Sequence, residues 1–189
     1  MRLGRFRPAS RQRGATLNHA MYAGLDQFVS DPAALMQLLD EHHLVVLSDD
    51  PGRHARLVST LTEYLAILPD TRLVMLPGPN LVDLESVCTV FERDFNGEHR
   101  IERSIRGLIR LLRNHTEAPK HQYFFSPEAD ALLDADVKLF GRVVNALLSV
   151  AAEREHVSTD VLALQRFIFL GGSKLGAYAE DEHGQFHSW

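Results

Sequence analysis

The stretch that decides the fold is His42-His43-Leu44-Val45-Val46-Leu47-Ser48-Asp49-Asp50-Pro51-Gly52. Its apolar run, 44–47, stands between two histidines and a polar segment that closes with Pro-Gly. A short continuous apolar run followed by turn residues is typical of a strand that is buried on both faces. We therefore predict a buried strand that ends in a tight turn.

An amphipathic helix is predicted after this turn, because the apolar residues between Leu57 and Leu68 recur at helical spacing. Pro69-Asp70 ends the helix, and a second apolar run, Leu73 to Leu76, follows directly. A strand, a helix and a strand at this spacing form a βαβ unit, in which the strands are parallel and the crossover is right-handed. The sequence therefore indicates a parallel sheet.

The rest of the chain is predicted to be mainly helical. Helices are expected over 17–29, 33–41, 84–95, 98–114, from Ser126 through Arg154 with a bend at Gly141, and over 173–180. The segment His115 to Phe125 is predicted as a loop. Phe167 to Leu170 indicates a third buried strand, although Ser158-Thr159-Asp160 would equally cap a helix running through it.

These elements predict an α/β fold with a small, mostly parallel sheet and a large helical share, in a P-loop-like or another doubly wound layout. A chain of 189 residues suits one domain, and 45% hydrophobic with 24% charged residues is ordinary for a folded protein. We assign residues 1–14 to a flexible basic arm and residues 15–189 to a single α/β domain.

Composition also sets the expected compartment. No apolar run is long enough to span a bilayer, and no apolar stretch follows the basic N-terminus as a secretory signal requires. Cys88 is the single cysteine and is expected to be a small buried residue, so nothing demands an oxidising environment. We therefore expect a cytoplasmic protein without a membrane span.

The sequence lacks the residue patterns that are typical of metal-binding and catalytic sites. Its 10 histidines form neither a His-Glu-x-x-His pattern nor a cluster with cysteine, and no Gly-x-Ser-x-Gly elbow is present. We therefore predict no catalytic residue, no metal site and no cofactor.

Charge is distributed unevenly. The formal net charge is −5, from 20 basic and 25 acidic residues. Five of the basic residues are arginines among the first 13 positions, which hold no acid, so the remaining chain has 15 basic against 25 acidic side chains. Such an arm can bind nucleic acid, anionic lipid or an acidic protein surface, or it can be a solvated terminus.

Arginines recur three or four residues apart in the predicted helix 98–114, namely Arg100, Arg103, Arg106, Arg110 and Arg113. At helical spacing they share one face, and isoleucines and leucines occupy the other. Arginine suits phosphate and carboxylate recognition because its donors form a planar fork. This stripe predicts an anion-binding ridge. The alternative is a solvated face that the acidic body neutralises, and that acidity also disfavours a general nucleic-acid binder.

A strand, a tight turn and a helix can also form a phosphate-binding loop, which requires Gly, four residues and then Gly-Lys-Ser/Thr. Here Ser48 takes the first glycine position, and Arg53, His54 and Ala55 take the last three, so the required chemistry is lost. Gly52, Arg53 and His54 remain as a candidate remnant of a phosphate site. Residues 171–174, Gly-Gly-Ser-Lys, resemble either a phosphate-binding turn at a helix N-terminus or a tight turn between core elements.

The layout resembles the P-loop ATPases of the AAA type, especially those associated with secretion and transposition. The resemblance rests on His43 to Leu68, on the second strand with Pro79-Asn80-Leu81, and on 167–171, which looks like the family's later core strand. The family's acidic motif follows an apolar strand, whereas the nearest candidate here, 132–136, is predicted to be helical. The resemblance therefore implies a degenerate member that has lost hydrolysis, and no active-site residue is carried over.

Together these features predict a non-catalytic binding or adaptor protein. It is expected to recognise an anionic partner, an acidic protein surface or nucleic acid, through the arginine-lined helix. The alternative is an atypical nucleotide-binding ATPase or switch with a degenerate phosphate loop. The sequence indicates neither the oligomeric state nor the identity of the partner.

Overall fold

The computed structural model describes residues 20–24, 32–48, 51–76, 80–94, 100–114, 121–157 and 164–182. The predicted basic arm 1–14 and residues 183–189 lie outside the described residues.

The described residues alternate strands and helices. In chain order they form β1 (Ala20–Gly24), α1 (Pro32–Glu41), β2 (Leu44–Ser48), α2 (Pro51–Ala66), β3 (Thr71–Met75), α3 (Leu84–Asp94), α4 (Ile105–Asn114), β4 (His121–Ser126), α5 (Asp130–Ala135), α6 (Val137–Val157), β5 (Leu164–Gly171) and α7 (Ser173–Glu182). The predicted α/β class with a large helical share is confirmed.

The strands form one parallel sheet in the order β1-β2-β5-β4-β3. β5 is central and pairs with β2 on one side and β4 on the other, so that Val45 lies opposite Ile168 and Phe124 opposite Phe167. The chain passes from β2 to the far edge, β3, and returns strand by strand through β4 to β5. The sheet therefore has a point, between β2 and β5, at which the direction of winding changes.

The strands β2, β4 and β5 are buried on both faces, to which successive side chains point alternately. One face carries Val45, Phe125 and Ile168 and packs against the leucines of α1 and α2. The other carries Phe124 and Phe167, whose rings stack with centroids 5.0 Å apart beneath α3, α4 and α6. Burial on both faces explains why 44–47 and 167–170 are continuous apolar runs rather than alternating ones.

Two strands lie where the sequence predicted something else. β1 lies within the segment predicted as helix 17–29, and its parallel pairing with β2 outweighs the weak local preference of Ala-Met-Tyr-Ala-Gly. β4 lies within the segment predicted as a loop, 115–125. Its polar start hid it, because Gln122 is buried and accepts a hydrogen bond from Nε2 of Gln165 on β5 at 3.3 Å.

The apolar run 167–170, for which the sequence allowed either a strand or a helix, lies in the strand β5. All four of its side chains are buried, and strands flank it on both sides. The pairing with β2 and β4 therefore decides between the two predictions.

The long helix predicted from Ser126 to Arg154 is wrong in its start and in its bend. Ser126 ends β4 and residues 127–129 form a turn, so the first helix begins at Asp130. The break falls at Asp136, which is extended (φ −156°, ψ 98°), and α6 continues unbroken through Gly141. Oδ1 of Asp136 accepts from the N–H groups of Lys138 and Leu139, both at 3.0 Å, and so caps α6.

Cys88 is buried on α3, as expected, and burial raises the pKa of its thiol. Across the described ranges, no helix combines the length and the apolar character that crossing a membrane requires.

Candidate functional site

The helix α4 carries the arginines of interest and begins seven residues later than predicted, at Ile105 rather than at Glu98. Ser104 caps it, because its Oγ accepts from the N–H of Gly107 at 3.0 Å and its carbonyl accepts from the N–H of Leu108 at 3.0 Å. The side chains of Leu108 and Leu112 are fully buried, and they dock the helix onto the core.

Gly107 allows the chain to enter this helix. A Cβ atom at this position would lie 2.0 Å from the carbonyl oxygen of Glu102. The backbone before the helix therefore crosses directly over its first turn, which only glycine permits. Residues 100–103 do not continue the helix, so Arg100 and Arg103 lie outside it.

Arg103 is held by two acids of α3. Its Nε donates to Oε1 of Glu85 at 3.1 Å, and its Nη1 lies 2.8 Å from Oε2 of Glu92. Glu92 is nearly buried and also accepts from the N–H of Ile101. Burial opposes ionisation of Glu92, but the Ile101 amide and the Arg103 guanidinium outweigh it and hold the pKa below its usual range. Arg103 therefore fastens the segment before α4 to α3.

Arg113 is held at the other end of α4. Its Nε and Nη2 donate to the two carboxylate oxygens of Glu153 on α6, at 2.7 and 2.5 Å. Such a bidentate pair fixes both the distance and the orientation of the two side chains. Arg113 therefore clamps the end of α4 to α6 while remaining half exposed.

The other three arginines of the predicted stripe are exposed. Within the described residues Arg100, Arg106 and Arg110 have no ion pair or side-chain hydrogen bond, and Arg100 contributes to the lowered pKa of Glu92. Arg106, Arg110 and Arg113 lie within about 60° of arc on α4, and we call them the arginine face. The structure thus brings together three of the five predicted residues on one helical face.

The candidate phosphate-site remnant lies in the first turn of α2, which begins at Pro51. The side chains of Gly52, Arg53 and His54 lie outside the described ones. Only residues 49 and 50 connect the end of β2 at Ser48 to this helix. Residues 49 and 50 themselves lie outside the described residues.

The second phosphate-like turn, 171–174, leads from β5 into α7 and is filled by a carboxylate of the protein. Oδ2 of Asp130 accepts from the N–H of Gly172 at 2.6 Å, and Oδ1 accepts from the N–H of Leu175 at 3.2 Å. Lys174, on α7, pairs with Asp134, which lies on α5 together with Asp130. A helix N-terminus attracts anions, and here the anion is Asp130. The interpretation as a tight turn between core elements therefore describes it.

A pocket that the sequence analysis did not predict opens at the carboxyl edge of the sheet. It is a gap of about 20 Å³, which is room for about one water molecule, and every lining residue except Glu128 is buried. Its lining comes from five elements and the turns between them: Leu76, Leu81, Val87, Phe91, Ser126, Glu128, Ala129, Leu132, Phe140, Val143, Leu147 and Phe169. No local pattern could have revealed it, because these residues meet only through the order of the strands.

Among the described residues no three histidine, cysteine or acidic side chains are grouped so that they could hold a metal ion. Comparison with protein-family models, with curated proteins and with solved structures gave no match.

Proposed function

We propose that this chain is a non-catalytic binding or adaptor protein that recognises an acidic protein surface through the arginine face of α4. The observation that carries the proposal is the state of Arg106 and Arg110. Both are exposed one helical turn apart, without an acidic partner among the described residues, on a helix where Arg113 and the neighbouring Arg103 are paired.

The arginine face is preorganised, which favours its use in binding. α4 is fixed at its start by the Ser104 cap and by Arg103, at its end by the Arg113–Glu153 pair, and along its length by buried leucines. The backbone that carries Arg106 and Arg110 therefore loses little freedom when a partner binds, and preorganisation of this kind increases affinity.

The dimensions of the surface suit carboxylates. Residues four apart on a helix are separated by about 6 Å along the axis, which matches acidic side chains one turn apart on a partner helix. Exposed Glu102 and Glu153 border the arginine face, and the chain outside its first 13 residues is acidic. A long phosphate backbone would meet these acids, whereas a small acidic patch would not. The acidic protein surface is therefore favoured over nucleic acid.

The connections at the carboxyl edge support a non-catalytic role over the nucleotide-dependent alternative. Asp130 occupies the N-terminus of α7, which forms the second phosphate-like turn. Residues 132–136, the nearest candidate for the family's acidic motif, lie in α5 and at its end rather than after a strand.

The test compares two double charge reversals in the full chain. Arg106→Glu with Arg110→Glu changes the arginine face, and Lys138→Glu with Arg142→Glu changes an exposed pair on α6 with the same spacing and the same charge change. The affinity for a fluorescently labelled oligoglutamate peptide is measured by anisotropy over a range of salt concentrations. Both variants keep the basic N-terminal residues, so any binding by those residues cancels.

We expect the α4 variant to bind the peptide about tenfold more weakly than the parent and the α6 variant to stay within about twofold. Equal losses in the two variants would show a non-specific charge effect and would overturn the proposal. Tighter binding of a single-stranded oligonucleotide than of the peptide at the same salt concentration would overturn the choice of a protein partner.

A further inference from the structure

The arginine face of α4 has carboxylates at its borders, and these limit what it can bind. Glu153 of α6 lies at the end of the face, where its two oxygens accept from Nε and Nη2 of Arg113 at 2.7 and 2.5 Å. Exposed Glu102 lies beside the first turn, because its Cβ atom is 3.3 Å from where a Cβ of Gly107 would stand. The face is therefore a short basic surface with an acidic boundary.

Glu153 divides the three arginines of the face into two kinds. Its carboxylate compensates the charge of Arg113, whereas Arg106 and Arg110 have no ion pair or side-chain hydrogen bond among the described residues. The uncompensated charge of the face is therefore that of two guanidinium groups one helical turn apart, about 6 Å along the axis. A partner segment matches this charge with two carboxylates at the same spacing.

Glu153 also specifies the charge that should lie next to these two carboxylates. Its side chain is 49% exposed, so a partner can reach it. A carboxylate has about four acceptor positions, and the bidentate pair with Arg113 uses two of them. A third carboxylate of the partner, one turn beyond the first two, would lie near Glu153 and be repelled. An ammonium group at the same place would be attracted.

We propose that the partner presents to the arginine face a helical segment with two acidic residues four positions apart and a basic residue one turn beyond them, next to Glu153. This charge pattern rests on the proposed function and goes beyond it, because acidity alone would be satisfied by any run of carboxylates. Glu153 is the specificity-determining residue. It attracts the base and repels a uniformly acidic segment, and specificity generally needs both effects.

The test uses alanine-based helical peptides with charged residues at four positions, each one turn from the next. The first carries Lys-Glu-Glu-Lys, which presents the proposed pattern in either orientation. The second carries Glu-Lys-Lys-Glu, which has the same composition in another order, and the third carries four glutamates. A fluorescent label reports the binding of each peptide to the full chain by anisotropy at a fixed salt concentration.

The peptides are titrated with the parent and with two variants that each lose one exposed carboxylate. Glu153→Gln leaves the charge of Arg113 uncompensated and removes the boundary. Glu41→Gln is the matched control, since Glu41 ends α1 on the opposite face of the sheet from α4. Both variants keep the basic N-terminal residues, so any binding by those residues cancels when variants are compared.

We expect the parent to bind the Lys-Glu-Glu-Lys peptide about threefold more tightly than the Glu-Lys-Lys-Glu peptide. Glu153→Gln should raise the affinity for the all-glutamate peptide about threefold without raising that for the Lys-Glu-Glu-Lys peptide. Glu41→Gln should leave the ratio of these two affinities as it is in the parent.

Two results would overturn the charge pattern and leave the proposed function standing. One is equal binding of the two peptides of the same composition, and the other is an equal response of the affinity ratio to Glu153→Gln and Glu41→Gln. In both cases Arg106→Glu with Arg110→Glu still weakens the binding of the all-glutamate peptide. If this double reversal weakens the binding of no peptide, the proposed function fails and the charge pattern fails with it.

Discussion

The surroundings of α4 and those of α5 use charge in different ways. Just before α4 and at its end, Arg103 and Arg113 pair with acids of other helices, whereas Arg106 and Arg110 between them remain exposed. Around α5 the acids are paired instead. Asp130 caps α7, Asp134 pairs with Lys174 and Asp136 caps α6, whereas Glu128 has no ion pair among the described residues. In both regions the paired charges define the geometry, and the unpaired ones are available for binding.

The largest effect is expected at the entry to α4, from Gly107→Ala. The added Cβ would meet the Glu102 carbonyl, which is backbone and cannot move aside, so we expect a loss of about 2–4 kcal/mol in the free energy of unfolding. Urea denaturation measures this loss. Gly141→Ala is the matched control, because its Cβ would meet only the side-chain hydroxyl of Tyr178 and alanine favours the helix. Equal losses in both variants would contradict the assigned entry to α4.

A smaller effect is expected from Glu92→Gln, which leaves Arg103 without its main partner and should cost about 1–2 kcal/mol. The pKa of Glu92 is lowered in the folded chain, so its ionisation stabilises the fold above the usual glutamate pKa. This contribution is lost as pH falls through the lowered value. The difference in unfolding free energy between parent and variant should therefore shrink in acid. A difference independent of pH would show that Glu92 acts by packing alone.

The smallest effect is expected in the contacts by which Asp130 and Asp134 join α5 to α7. Asp130→Ala removes the cap of α7 and should cost about 1 kcal/mol, whereas Asp134→Asn removes only an exposed ion pair and should cost less than about 0.5 kcal/mol. Asp130→Ala also leaves the N-terminus of α7 without an anion. Added phosphate should therefore raise the melting temperature of this variant more than that of the parent. An equal response in both would contradict the assignment of Asp130 as the bound anion.

The sequence predicted those elements of the fold that depend on contacts between residues close along the chain, and it missed those that depend on distant residues. The run 44–47 predicted its strand because burial on both faces leaves a continuous apolar signature. β4 was missed because Gln122 and His121 open it, and the burial of Gln122 depends on Gln165, 43 residues away. Periodicity likewise placed the arginines of α4 on one face but could not show that the Glu102 carbonyl crosses the helix at Gly107.

In the candidate sites, too, local features could be predicted and long-range contacts could not. The arginines could be named from their spacing, but Glu85, Glu92 and Glu153 decide which of them are occupied, and no sequence pattern links these acids to their partners. The carboxyl-edge pocket could not be predicted, because Leu76 and Phe169 meet only when β5 inserts beside β4.

The central position of β5 has a consequence for the order of assembly. It is the last strand along the described chain, yet it separates β2 from β4. Until residues 164–171 have left the ribosome, β1–β2 and β3–β4 are two half-sheets, each with an open edge and an uncovered apolar face. Because contacts between distant segments form slowly, we expect folding to wait for this insertion and the half-sheets to need protection from aggregation during synthesis.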